Sequence, residues 1–247
     1  MTEKSRSSLR ENQHILIRQL ANCVESTWTQ HLSLSPYEIP AELGYIEGSL
    51  EGDKLTIENY CYQTPQFRKL HLELARVGSR LDILHCVMFP RSDYPLPIFG
   101  VDLVGSQEGI GAAIVDLSPI SCDRILPKAY QKLLRNLPRI QFSQPRALPK
   151  WGDIFSDFCL FIRPADAQEE QLFLSQVKHF LDLHCQIAAA ALPIVSEPQK
   201  AEILAGQNYY CTKQQQNDKT RRVLEKFLGQ AWTDRYIKTM LFDAPCA

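Results

Sequence analysis

The sequence carries no surplus of charge. Its 27 lysines and arginines stand against 28 aspartates and glutamates, a formal net charge of -1, so it has no global field to hold nucleic acid or an anionic membrane. No stretch reaches the roughly 18 unbroken apolar residues of a transmembrane helix. The polar start, "MTEKSRSSLRENQ", lacks the apolar centre of a secretion signal, so a soluble, cytoplasmic protein with no membrane partner is expected. None of the eight cysteines, at 23, 61, 86, 122, 159, 185, 211 and 246, forms a C-x-x-C pair. Most lie in apolar runs and are expected as buried thiols in a reducing compartment, not as disulfides, zinc ligands or iron–sulfur ligands. There is also no Walker-type phosphate loop, no G-x-S-x-G and no H-E-x-x-H. The glycines of "GSQEGIGA" precede a strand pattern instead of opening a helix. His179 and His184, five apart on a helical pattern, fall on different faces and make a shared metal site unexpected.

What is present is a chain of 247 residues, 45% hydrophobic, large enough to bury a substantial core in one domain spanning 1–247. Residues 9–32 space Ile15, Leu16, Leu20, Val24 and Trp28 at helical intervals. Six strand-like runs follow, with a turn signal at Gly52-Asp53 between the first two, and their short breaks leave no room for the crossover helix of a parallel pair. An antiparallel meander is the simplest arrangement. Helical patterns then dominate from about residue 123, with Asp166 and Glu169 as a capping pair, one further strand at "CLFIRP", Ser196 as a cap, Asn217 or Asp218 opening a helix and Gly229 ending it. Helix at both ends and sheet between predict a three-layer α/β/α sandwich with a central, mainly antiparallel sheet.

Polar residues interrupt the apolar strands. In "KLHLEL", Lys69, His71 and Glu73 share one strand face. His85 stands with Ile83 and Val87, and Asp102 with Ile98, Gly100 and Val104. Pairing of Phe89 with Ile98 would set His85 opposite Asp102, at about 5 Å between Cβ atoms. The turn "VGSR" is open in two ways: a two-residue loop turns His85 away from Glu73, and a three-residue loop through Gly78 brings them together. A histidine satisfied in the core by Asp102 is the commoner case for an arbitrary sequence. Several titratable groups on one half-buried face instead point to a proton-transfer pocket with shifted pKa values, whose candidates are Glu73, His71, His85 and Asp102.

The stretches "ELGYIEGSLEGDKLTIENYCYQTPQFRKLHLELARVG", "LDILHCVMFP", "AAIVDLSP", "WGDIFSDFCLFIRP" and "QQQNDKTRRVLEKFLGQAWTDRY" resemble the ferredoxin-dependent bilin reductases over nearly the whole chain. That resemblance implies an α/β/α sandwich binding biliverdin IXα between the sheet and the C-terminal helices, with no bound metal or flavin and with reduced ferredoxin as the external electron donor. It implies that Asp102 and His85 protonate the bilin, that Glu73 donates a proton beside the D-ring, and that His71 supports proton supply. A glutamate at Glu73, and Asn217 where other branches carry an aspartate, point to the branch that reduces the D-ring vinyl and then the A-ring to form phycocyanobilin. Arg146 and Lys219 match cations that meet the propionates, although Lys219, Arg221 and Arg222 read equally as an exposed helix start. An acidic ferredoxin calls for a basic face, expected to include Lys213, Arg221, Arg222 and Lys226, with Arg68 and Lys69 extending it. A monomer is expected. A different phytobilin product and a bilin carrier without turnover remain as alternatives.

Overall fold

The computed structural model describes residues 9–245. The N-terminal pattern becomes a 3-10 turn, Leu9–Asn12, and helix α1, Ile15–His31. Its buried stripe runs through Leu16, Ile17, Leu20, Ala21, Val24 and Trp28, whereas Ile15 is 47% exposed. At about 100° per residue Ile15 lies more than a quarter turn off the line of Leu16, Leu20 and Val24. Buried Asp82 fixes where this helix begins, its Oδ2 accepting from the backbone N of the N-cap His14 at 2.9 Å.

A short strand β1, Ser35–Pro36, and a single turn α2, Ala41–Gly44, lead into the sheet. Strands β2, Tyr45–Leu50, and β3, Asp53–Gln63, meet at a two-residue turn with left-handed φ of 51° at Glu51 and 87° at Gly52. The turn falls one residue before the Gly52-Asp53 signal, because Asp53 already pairs with Leu50. Strands β4, Phe67–Val77, β5, Leu81–Pro90, β6, Ile98–Ser106, and β7, Gly109–Ser118, continue the meander. Helix α3, Lys128–Arg135, strand β8, Leu160–Ile162, and helices α4, Ala167–Ala190, α5, Glu197–Gln214, α6, Asp218–Leu228, and α7, Gln230–Tyr236, complete the order. A π-helical turn, Ile237–Leu241, follows directly. The sheet runs β1-β3-β4-β5-β6-β7-β8, with β2 also on β3, and its strand pairs are antiparallel.

Strict alternation along the strands gives the sheet two apolar faces. Leu70, Leu72, Leu84, Cys86 and Met88 pack with α1 and α4 through Leu20, Val24, Trp28, Phe173 and Val177. Ile57, Ala75, Val87, Phe89 and Ile98 pack with the C-terminal helices through Tyr210, Cys211, Leu224 and Tyr236. This is the α/β/α sandwich the patterns predict. Asp166 caps α4, accepting from Glu169 N at 2.9 Å, while the Glu169 carboxylate reaches Ala165 N at 2.9 Å and Ser143 N at 2.7 Å. Ser196 stands at the N-cap of α5 without a side-chain capping bond. Cys86, Cys185 and Cys211 are buried thiols, Cys122 is exposed, and Cys246 lies outside the described residues. Among the described residues no helix is long and apolar enough to cross a membrane.

Candidate active site

The turn "VGSR" is a three-residue loop: Val77 pairs with Leu81, and Gly78 takes a left-handed φ of 54°. A β-carbon at Gly78 would stand 3.0 Å from Asp53 Oδ1 in a conformation that other residues adopt only with strain. The odd loop length puts Glu73 opposite His85, and β5–β6 pairing puts His85 opposite Asp102. One row therefore crosses six strands: Asn59, Glu73, His85, Asp102, Ile114, Phe161. The adjacent row is Cys61, His71, Val87, Gly100, Asp116. Both rows lie on the face covered by α5 and α7.

His85 Nδ1 stands 2.6 Å from Asp102 Oδ1. Burial pulls the His85 pKa down, but the Asp102 carboxylate beside it and Glu73 across from it hold it above the usual 6.5. Glu73 is 5% exposed, and burial raises its pKa against the opposing effects of His85 and of the Tyr236 hydroxyl, which donates to Oε2 at 2.6 Å. His71 is fully buried, with Nε2 2.7 Å from Asn59 Oδ1. The amide oxygen is an acceptor, so Nε2 carries the proton. Burial first, then the charges of Lys69 and His85, keep His71 neutral by pushing its pKa well below 6.5. The His71 and His85 rings meet edge-on at 5.9 Å, and His71 Nδ1 and His85 Nε2 have no hydrogen-bond partner among the described residues. The site opens on the Asp102 side, where that side chain is 41% exposed against 9% for His85. A buried carboxyl and an imidazole, both with raised pKa values, and a second imidazole kept neutral share one face, an arrangement that can hold and exchange protons.

Several participants, Tyr236, Asp116 and Tyr210, were not singled out from the sequence, and Lys69 was placed differently. Tyr236 reaches Glu73 and Asn59 from the end of α7, 2.9 Å from Asn59 Oδ1, and Trp232 stacks on its ring at 4.9 Å. Lys69, expected in a basic surface face, is instead fully buried and paired with Asp243. Asp116 sits at the far end of the His71 row, 1% exposed, with its pKa pushed up to about 6 by burial. It accepts from Ser156 Oγ at 2.6 Å, Ser156 N at 3.0 Å and Ser118 Oγ at 2.7 Å. Tyr210 lays its hydroxyl over Gly100, 3.3 Å from where a β-carbon would be, and accepts from Gln214 Nε2 at 3.0 Å. Of Tyr236, Asp116 and Tyr210, only Asp116 had a sequence signal, the alternation of "AAIVDL" against "IFGVDLV".

The expected cations separate. Arg146 stacks on Phe161 at 5.2 Å, at the end of the Glu73–His85–Asp102 row, and donates to Gly111 O at 2.6 Å. Asn217 caps α6, accepting from Lys219 N at 3.2 Å, and the Lys219 side chain is exposed. Lys213 pairs with Asp153 at 3.2 Å, and Arg221 is drawn to Asp234 and to Glu225 at 3.4 Å. Arg222 and Lys226 remain exposed on α6. Arg68 is bound to Asp243 at 2.5 Å.

Comparison with known proteins gives a consistent result. A family model described as ferredoxin-dependent bilin reductase matches residues 21–243. Phycocyanobilin:ferredoxin oxidoreductase of Trichodesmium erythraeum is 60% identical over 233 residues, covering 94% of this chain and 95% of that protein. The Synechococcus sp. protein of the same name is 56% identical over 246 residues, 99% of each chain. Among solved structures, phytochromobilin synthase from tomato in complex with biliverdin superposes with a TM-score of 0.74 at 17% identity, covering 91% of this chain and 82% of that one. With the family model spanning nearly the whole chain and relatives 60% and 56% identical over 94% and 99% of it, the chain belongs to the ferredoxin-dependent bilin reductases.

Proposed function

We propose that the protein reduces biliverdin IXα to phycocyanobilin with single electrons from ferredoxin, as one domain and as a monomer. The names of its relatives support the product and the electron donor, and the biliverdin bound by the tomato enzyme of the same fold supports the substrate. The observation that carries the chemistry is the in-register row Glu73–His85–Asp102, which sets a buried carboxyl and an imidazole, both with raised pKa values, beside a solvent-reaching Asp102. Each electron added to a tetrapyrrole makes it a stronger base, so a proton must follow each electron from a group already in place.

In this reading Asp102 and His85 deliver protons to the bilin, Glu73 delivers one at the D-ring vinyl with Tyr236 holding its carboxyl, and neutral His71 passes protons along the sheet. Arg146, at the open end of the row, is suited to a propionate, and Lys219 to a second one. No resident metal or flavin is required, since the electrons arrive singly from outside. For the ferredoxin face the reading favours Arg222 and Lys226, exposed one turn apart on α6, over Arg221 and Lys213, which pair with Asp234 and Asp153. Anaerobic incubation with biliverdin, ferredoxin, a ferredoxin reductase and NADPH tests the reading. Phycocyanobilin by absorption and chromatography is expected; another phytobilin would correct the product, and binding without turnover would leave a carrier.

A further inference from the structure

The C-terminal segment reaches the site face at Tyr236, Phe242 and Asp243. Tyr236 ends α7 on Glu73, the π-turn Ile237–Leu241 closes with Phe242 N donating to Ile237 O at 2.8 Å, and the Phe242 ring stands edge-on to His85 at 5.4 Å. Gln215 of α5 donates to Phe242 O at 3.0 Å. Two cations then hold Asp243. Arg68 bridges its side chain at 2.5 Å and its carbonyl at 2.8 Å, and Lys69 pairs with Oδ1 while donating to Met240 O at 2.8 Å. Both cations face the segment because β4 bulges there: Phe67 pairs with Pro90 and Lys69 with Phe89, leaving Arg68 as the extra residue. A bulge re-aims a side chain in this way, and π-turns recur at functional sites. Arg68 is held flat by Phe89 at 4.4 Å and by Gln207 Oε1 at 3.1 Å.

We propose that residues 236–243 form a strap that is part of the reaction site, and that Asp243 is the positioning residue that seats it, latched between Lys69 and Arg68 so that Phe242 stays on His85 and Tyr236 on Glu73. The proposal rests on the bilin-reducing role assigned to Glu73 and His85. A residue that orients two proton donors from a distance acts on the chemical step more than on ligand affinity, because proton transfer is sensitive to sub-ångström placement. A purely structural role for Asp243 is the competing account: it would merely neutralise a buried lysine.

The paired variant Lys69→Met with Asp243→Asn separates the two, since replacing a buried ion pair by neutral groups of similar volume is well tolerated. Two readouts are taken: hydrogen-exchange protection of amides 237–243 without ligand, and kcat beside the biliverdin dissociation constant from absorption titration. The latch predicts protection lowered about tenfold or more, kcat lowered about tenfold or more and a dissociation constant changed by less than about threefold, with Asp243→Glu closer to wild type. A paired variant with wild-type protection and wild-type kcat overturns the proposal. Phe242→Leu, which leaves the latch intact, is expected to keep strap protection and still lose turnover; full turnover there also overturns it. If the wild-type protein itself does not reduce biliverdin, the functional reading fails, and the protection measurement still decides whether Asp243 seats the strap.

Discussion

Asp116→Asn tests the electrostatics of the site face at a residue that Ser156 and Ser118 surround. Burial raises its pKa from the usual 3.8 to about 6, despite hydrogen bonds from both serines that favour the carboxylate. The pKa is raised on folding, so the fold favours the neutral acid: this contribution is fully present below pH 3.8 and is lost as pH rises through about 6. At about 1.4 kcal/mol per pH unit, the interval from 3.8 to about 6 gives the ionised form a cost of about 3 kcal/mol at pH 8. Asparagine keeps the shape and both kinds of contact, because its oxygen accepts from Ser156 N and Ser118 Oγ and its amide donates to a rotated Ser156 hydroxyl. Relative to wild type, the variant should gain about 2.5 kcal/mol between pH 4 and pH 8, or roughly 5–10 °C in Tm for a chain this long. Urea unfolding of both proteins at the two pH values measures it. A stability difference that does not change with pH would falsify the raised pKa and show that the serine hydrogen bonds fully offset burial.

Further outcomes follow from the same geometry. Glu73→Gln should keep biliverdin binding but lose D-ring vinyl reduction, and should be relatively more stable than wild type at alkaline pH, where the raised pKa makes the buried carboxylate unfavourable; product chromatography and thermal melts at pH 6 and 9 check both. Asp102→Asn removes the partner that raises the His85 pKa, so turnover should fall roughly 10²-fold or more while binding persists, and a His85 NMR titration should move to lower pH. A variant at wild-type speed removes Asp102 from the proton path. Arg222→Glu with Lys226→Glu should raise the KM for ferredoxin, most at low ionic strength, with kcat at saturating ferredoxin retained; equal effects at low and high salt would place the docking face elsewhere.

The meander, the six central strands and the grouping of Lys69, His71 and Glu73 were legible in the sequence because the strand period of two is written in consecutive residues. The His85–Asp102 pairing was also within reach, since one assumed register fixes all the others along an antiparallel pair. The side of β5 on which His85 would meet Glu73 was not, because it depends on one residue of loop length at Gly78. Charge runs misled for a physical reason: a lysine in the sequence looks alike whether it meets water or a carboxylate 174 residues away, as Lys69 meets Asp243.

By itself, then, the sequence determined the strand and helix periods, their antiparallel order and the strand faces that carry titratable groups, all of which are local. Tertiary structure alone decided which distant groups complete them. Tyr236 lies 163 residues from Glu73 and the Ser156 hydroxyl 40 residues from Asp116. Whether a buried carboxyl holds its proton depends on what closes over it, and the packing of the C-terminal helices against the sheet sets that.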